Sequence, residues 1–136
     1  MAVAQLDLVR SMTRLGLLII SLSWATSVFA EESAEFKAAY RAGRAEAQRD
    51  ISRNYLAVEE YGKVEVWDPD YAKIAEKRFG VHVKRVAGCI ILDQILGHAK
   101  GYNEISEPEI KRRFGRDVLL EARIAASGAW EKTRHK

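Results

Sequence analysis

Between residues 31 and about 53 apolar positions return every three or four residues. Phe36, Tyr40, Gly43, Ala47 and Ile51 share one face, and Lys37, Arg41, Arg44 and Gln48 line another. That spacing predicts an amphipathic helix. Glu31, Glu32 and Glu35 near its start, and Arg49 and Arg53 near its end, suit the helix dipole. Gly43 and Ala47 make the face thin at its centre, so a neighbour must approach closely, and a sheet is the expected one. Over residues 55–61 the period changes to two: Leu56 and Val58 alternate with Ala57 and Glu59, the pattern of a strand. Gly62 and Lys63 interrupt it, and Val64 to Trp67 reads as a short strand or an extended loop. Asp68-Pro69 then pairs a capping acid with proline in the first helical turn. Tyr71, Ile74, Ala75 and Phe79 form the buried stripe of that helix, and Gly80 stands at its C′ position.

Residues 81–92 are the strongest strand candidate, with Val81, Val83, Val86 and the unbroken run Cys89-Ile90-Ile91-Leu92. Such a run predicts burial on both faces, and Cys89 with it. Asp93 is placed to cap a helix carrying Ile95, Leu96, Ala99 and Tyr102. Gly97 and Gly101 weaken that helix by about 1 kcal/mol each relative to Ala, and their four-residue spacing invites a close neighbour. Ser106-Glu107-Pro108-Glu109 has the form of a capping box, which opens a fresh helix over 107–114 that ends at Gly115. A last helix follows over 117–130 with Val118, Leu119, Ala122, Ala125 and Ala126. The polar end frays from about residue 131. The segments Glu76-Lys77-Arg78-Phe79-Gly80 and Lys111-Arg112-Arg113-Phe114-Gly115 echo each other, and both read as one C-terminal device: basic residues, an apolar plug and a glycine. The expected fold is a small single α+β domain: an N-terminal helix, a two- or three-stranded sheet and several C-terminal helices.

The first thirty residues stand apart from this pattern. Arg10 and Arg14 precede an uncharged stretch from Leu15 to Ala30, and Val28-Phe29-Ala30 closes it with small residues at the −3 and −1 positions. These are the three parts of a secretory signal, and the stretch is short for a membrane span. The expectation is a signal peptide over 1–30, cleaved after Ala30, and a mature domain over 31–136 that is exported to the periplasm or secreted, with no membrane span left after cleavage. Asp7 is out of place in a basic leader, and a start at Met12 gives a more ordinary one. An uncleaved anchor is the competing reading of the segment.

Charge adds little by itself. The chain has 22 basic and 19 acidic side chains and a net charge of +3. Without Asp7, Arg10 and Arg14 these become 20 and 18, or +2, too balanced to imply nucleic acid or an anionic membrane. The distribution is uneven, however, since Lys111, Arg112, Arg113 and Arg116 fall within six residues. In an exported protein such a patch suits an acidic envelope protein or polymer, and no nucleic-acid partner is expected. Cys89 is the only cysteine, so no internal disulfide forms.

Catalytic signatures are missing from the sequence. His82, His98 and His135 share no i, i+3 or i, i+4 spacing, and a single Cys makes no thiolate cluster, so no metal site and no cofactor are expected. His82 reads as the solvent side of a strand and His98 as a helix-surface residue. No Gly-x-Ser-x-Gly elbow or glycine-rich phosphate loop occurs, no catalytic residue is assigned, and Glu59, Glu60, Glu107 and Glu109 read as exposed or capping acids. The binding candidates are Trp67 and Tyr71, from an aromatic cluster with Tyr55 and Tyr61 around Pro69, and the four basic residues Lys111, Arg112, Arg113 and Arg116. The expected function is a non-enzymatic binding or accessory role in the envelope or outside the cell. The alternative is a small hydrolase or ligand-binding enzyme whose site assembles only in the fold. A cleft with convergent polar groups, His82 or His98 among them, would favour the enzyme.

Overall fold

The computed structural model describes residues 32–134. The proposed leader, its cleavage point after Ala30 and the choice between Met1 and Met12 lie outside them. The elements run α1 (Ala34–Ser52), β1 (Leu56–Glu60), α2 (Asp68–Phe79), β2 (Val81–Arg85), α3 (Asp93–Phe114) and α4 (Val118–Arg134). This is a helix-rich α+β fold, and its two strands pair in parallel, Leu56 with Val81 through Glu60 with Arg85. Among the described residues no helix is long and apolar enough to cross a membrane.

Strand alternation divides the sheet into two unlike faces. Leu56, Val58, Val81 and Val83 point to one side, where Ile110 and Phe114 of α3, Val118 of α4 and Phe79 of α2 pack on them. Tyr71 and Ala75 of α2 meet Ala122 and Ala126 of α4 beside this cluster. Ala57, Glu59, His82 and Lys84 point to the other side, towards α1 and α3, where Ala47 and Tyr102 complete a third cluster with Ala57. Between the faces, α3 crosses the outer edge of β1. There the Asn103 amide accepts from Glu59 N at 2.8 Å and donates to Glu59 O at 2.7 Å.

The neighbour that covers the thin face of α1 is α3, not a sheet. A Cβ at Gly43 would land on the carbonyl oxygen of His98, one at Gly97 on that of Phe36, and one at Gly101 on that of Tyr40. Glycine therefore sets the distance between the two backbones, which brings the side chains of Glu46 and Asp50 against those of His98 and Tyr102.

Several boundaries differ from the sequence reading. β2 ends at Arg85, and the run from Val86 to Leu92 is a loop in which Cys89 is exposed and Ile90 is 85% accessible. Only Val86 N and Gly62 N continue the ladder, bonding to Glu60 O and Gly88 O. Residues 64–67 form no strand. The capping box does not form: α3 continues through Ser106 and Pro108 without a break, and the Ser106 hydroxyl is buried with no partner. Asp68 and Asp93 are first helical residues rather than caps, after Trp67 and Leu92. Asp68 instead accepts from Glu65 N and from Arg85. Gly80 and Gly115 do terminate their helices, in the left-handed region at φ 65° and 67°. α4 runs on to Arg134, past the expected fraying point.

Candidate functional site

Two polar groupings flank the sheet. The first lies at the carboxyl end of β1, between α3 and α4, where a cleft of about 790 Å³ opens. Volumes of this size are typical of small-molecule sites. The ends of parallel strands are also where open α/β sheets commonly hold ligands.

Its floor is built from Glu60, Arg123 and Tyr71. Glu60 is the last residue of β1, and its carboxylate lies between Arg123 Nη2, at 2.5 Å, and Arg85 Nη2, at 3.3 Å. The Arg123 guanidinium stacks over the Tyr71 ring at 5.0 Å. Tyr71 is 1% exposed, and its hydroxyl, close to Glu60 and Arg123, is in hydrogen-bonding geometry with neither. Burial, reinforced by the Glu60 charge, pushes that hydroxyl up to about 12.

The walls come from α3 and the turn into α4. Glu107 is open to solvent on one side, yet the surrounding protein desolvates it enough to hold its carboxyl above the usual range, and Asp117 and Glu60 add to the effect. Lys111 stands one turn further along α3. Neither Glu107 nor Lys111 has an ion-pair partner among the described residues. Asp117 accepts from Leu120 N and so caps α4. Arg116 reaches the cleft as well, paired with Glu121 at 3.0 Å.

The second grouping lies on the opposite face, under α1 and α3. Glu59 is buried, its side chain 5% accessible, and its Oε2 meets His98 Nδ1 at 2.8 Å. The other ring nitrogen, Nε2, faces Glu46 Oε2 at 3.2 Å. Glu46 Oε1 in turn meets Lys84 Nζ at 3.4 Å. Lys84 also reaches Asp50 at 3.3 Å and lies over the rings of Tyr102 and Tyr55, at 4.5 and 5.4 Å. The Tyr102 hydroxyl donates to Asp50 at 2.7 Å. Burial opposes the charge on Asp50, but the hydrogen bonds from Tyr102 and Lys84 outweigh it and hold the carboxyl below its usual value. For Lys84 burial is likewise outweighed, by Asp50 and Glu46, and its ammonium is held above the usual range. Tyr102 is pushed up by burial and by the neighbouring Asp50.

Of the residues proposed from sequence, Tyr71, Lys111 and Arg116 meet at the cleft. Tyr71 does so from within the core, so it offers a floor and not an exposed recognition surface. Trp67 packs half-buried on the cluster of α2 and α4 that holds Tyr71, and Tyr61 borders the cleft with Tyr71, whereas Tyr55 lies on the other face, stacked on His82 at 4.5 Å. Arg112 and Arg113 both bind Glu109 at 2.7 Å, and Arg113 also bonds Asn54. These arginines hold the Glu109 carboxyl down at about 2. Glu59 is a buried acid rather than an exposed one, and His98 is a half-buried member of a network rather than a plain surface residue. Neither His82 nor His98 lines the cleft. The sequence reading missed Glu107 and Arg123 in the cleft, and Glu46 opposite it. No local signal marks them, because each matters through partners far along the chain.

No family model matches this chain, and neither a curated protein nor a solved structure does.

Proposed function

We propose that the chain is a non-enzymatic binding protein of the exported compartment, freed of its leader after Ala30, and that the cleft between α3 and α4 takes a small zwitterionic ligand such as a free amino acid or short peptide. One observation carries the reading: Glu107 and Lys111, opposite charges one helical turn apart, face the same cleft, and neither has an ion-pair partner among the described residues. A ligand ammonium would relieve the repulsion that Glu107 suffers from Asp117 and Glu60. A ligand carboxylate would meet Lys111, with Arg116 beside it, and the unpartnered Tyr71 hydroxyl lies beneath. The basic patch keeps a part in this reading through Lys111 and Arg116. The wider partner read from it, an acidic envelope protein or polymer, would have to compete with Glu109 for Arg112 and Arg113.

The test is a calorimetric titration with amino acids and dipeptides, against the same compounds N-acetylated or C-amidated. Free zwitterions should bind, either block should weaken binding, and Glu107→Gln and Lys111→Gln should each lower affinity. Equal binding of the blocked compounds, or no binding across the panel, refutes the proposal. The raised Glu107 carboxyl also favours a second reading, a small hydrolase in which Glu107 protonates a leaving group. Turnover of a glycan or peptide that Glu107→Gln abolishes would establish that reading instead.

A further inference from the structure

Of the grouping on the other face of the sheet only Glu59 also borders the cleft, and its carboxylate turns away from it to His98. The grouping's charge is unbalanced in a specific way. Lys84 is shared between Asp50, at 3.3 Å, and Glu46, at 3.4 Å, with Arg53 adding a more distant positive charge to Asp50. Glu46 and Glu59 are two carboxylates directed at one imidazole. Glu59 is almost wholly buried, and a buried carboxylate is costly without a strong counter-charge. The two ring nitrogens of His98 face one carboxylate each, Glu59 at 2.8 Å and Glu46 at 3.2 Å.

We infer that Glu46, Glu59 and His98 form a binding site for a divalent transition-metal cation, zinc being the ion that this donor set suits best. One nitrogen and two carboxylate oxygens are ligands that zinc accepts. One such atom from each residue lies within 4.8 Å of the other two. In a tetrahedral shell with bonds of about 2.0–2.2 Å, ligand atoms stand roughly 3.3–3.5 Å apart, so the widest pair must draw in by up to about 1.5 Å. Two long glutamate side chains and an imidazole allow that much. Lys84 holds Oε1 of Glu46 and leaves Oε2 facing the histidine.

The placement explains why sequence spacing hid the site. The ligands come from α1, β1 and α3, one each, and they converge only because Gly43, Gly97 and Gly101 let α1 and α3 approach. A divalent ion cancels the two carboxylate charges and ties the three elements together. Three protein ligands also leave a coordination position open to water.

The experiment uses the full chain, stripped with a chelator and then titrated with Co²⁺ and Zn²⁺. Cobalt is followed by the visible absorption of the coordinated ion and zinc by calorimetry and thermal melting. One ion per chain is expected, with a melting temperature that rises with free zinc. Glu46 is partly exposed, so Glu46→Gln should fold. It should lose at least the ~10–100-fold in affinity that removal of even an outer partner costs. His98→Asn should abolish the cobalt spectrum; if that variant does not fold, Glu46→Gln decides alone. An absent cobalt spectrum in the unaltered protein, or an affinity unchanged by Glu46→Gln, overturns the inference. Amino-acid binding in the cleft, measured on the same Glu46→Gln protein, should be unaffected, so the two proposals fail separately.

Discussion

Adding one methyl group at Gly101 tests the architecture most directly. In a helix interior alanine is favoured over glycine by about 1 kcal/mol, so Gly→Ala with free space around it should stabilise. At Gly101 the new Cβ would fall on the carbonyl oxygen of Tyr40, which is backbone and cannot rotate aside. Relief requires α1 and α3 to move apart, and overpacking of this kind costs about 1–3 kcal/mol or more. The clash is with main chain, so the upper part of that range applies, for a net loss of about 2 kcal/mol after the helix gain. For a domain near 100 residues that corresponds to a fall in melting temperature of roughly 8–16 °C. Gly128 in α4 is the internal control, because a Cβ there meets nothing within 4 Å. Gly128→Ala should gain about 1 kcal/mol, or roughly 4–8 °C. Urea and thermal unfolding followed by circular dichroism measure both. If Gly101→Ala stabilises as Gly128→Ala does, α1 and α3 do not approach as described, and the convergence of Glu46 on His98 loses its basis.

Two further outcomes follow from single residues. Cys89 is exposed, so maleimide should label it in the folded protein as fast as in urea, and Cys89→Ser should change stability by less than about 0.5 kcal/mol; slow labelling of folded protein would place the thiol inside. Because the folded protein raises the Glu107 carboxyl, its ionisation costs stability that is retained at acid pH and lost as pH rises through the folded value. Glu107→Gln should therefore melt higher than the unaltered protein at pH 7 and equally at pH 3; an equal or lower melting temperature at pH 7 refutes the assignment.

Much of the fold was legible where one local signal had a single physical meaning. Gly80 and Gly115 ended helices because only a left-handed residue closes them, and the Gly97/Gly101 spacing did draw a close neighbour. The period-two stretch at 55–61 became β1. The errors came where one pattern fits two structures. An apolar run such as Cys89-Ile90-Ile91-Leu92 reads as a buried strand, but apolarity does not supply a partner strand, and past Val86 the ladder between β1 and β2 ends. Ser-x-Pro-Glu starts a helix as readily as it sits inside one, and α1 packed along α3 holds the longer helix together. The candidate sites were less legible still. Glu59 and His98 are 39 positions apart. Adjacent acids in sequence, Glu59 and Glu60, alternate across the strand, so their carboxylates meet different partners, His98 for one and Arg123 and Arg85 for the other.

The Asn103 amide has a consequence for how copies of this protein meet. A two-stranded sheet has outer edges, and an edge strand offers unpaired N–H and C=O groups to any extended segment that approaches. On β1 those groups, at Glu59, are already engaged by one side chain that presents an acceptor and a donor as a third strand would. Asn103 thus occupies the place of a visiting strand, and α3 carries it there as a fixed part of the fold. Replacement by Leu would leave that edge unsatisfied and open to edge-to-edge association. One amide on α3 thereby fills, at the Glu59 position of β1, the place that an approaching strand would need.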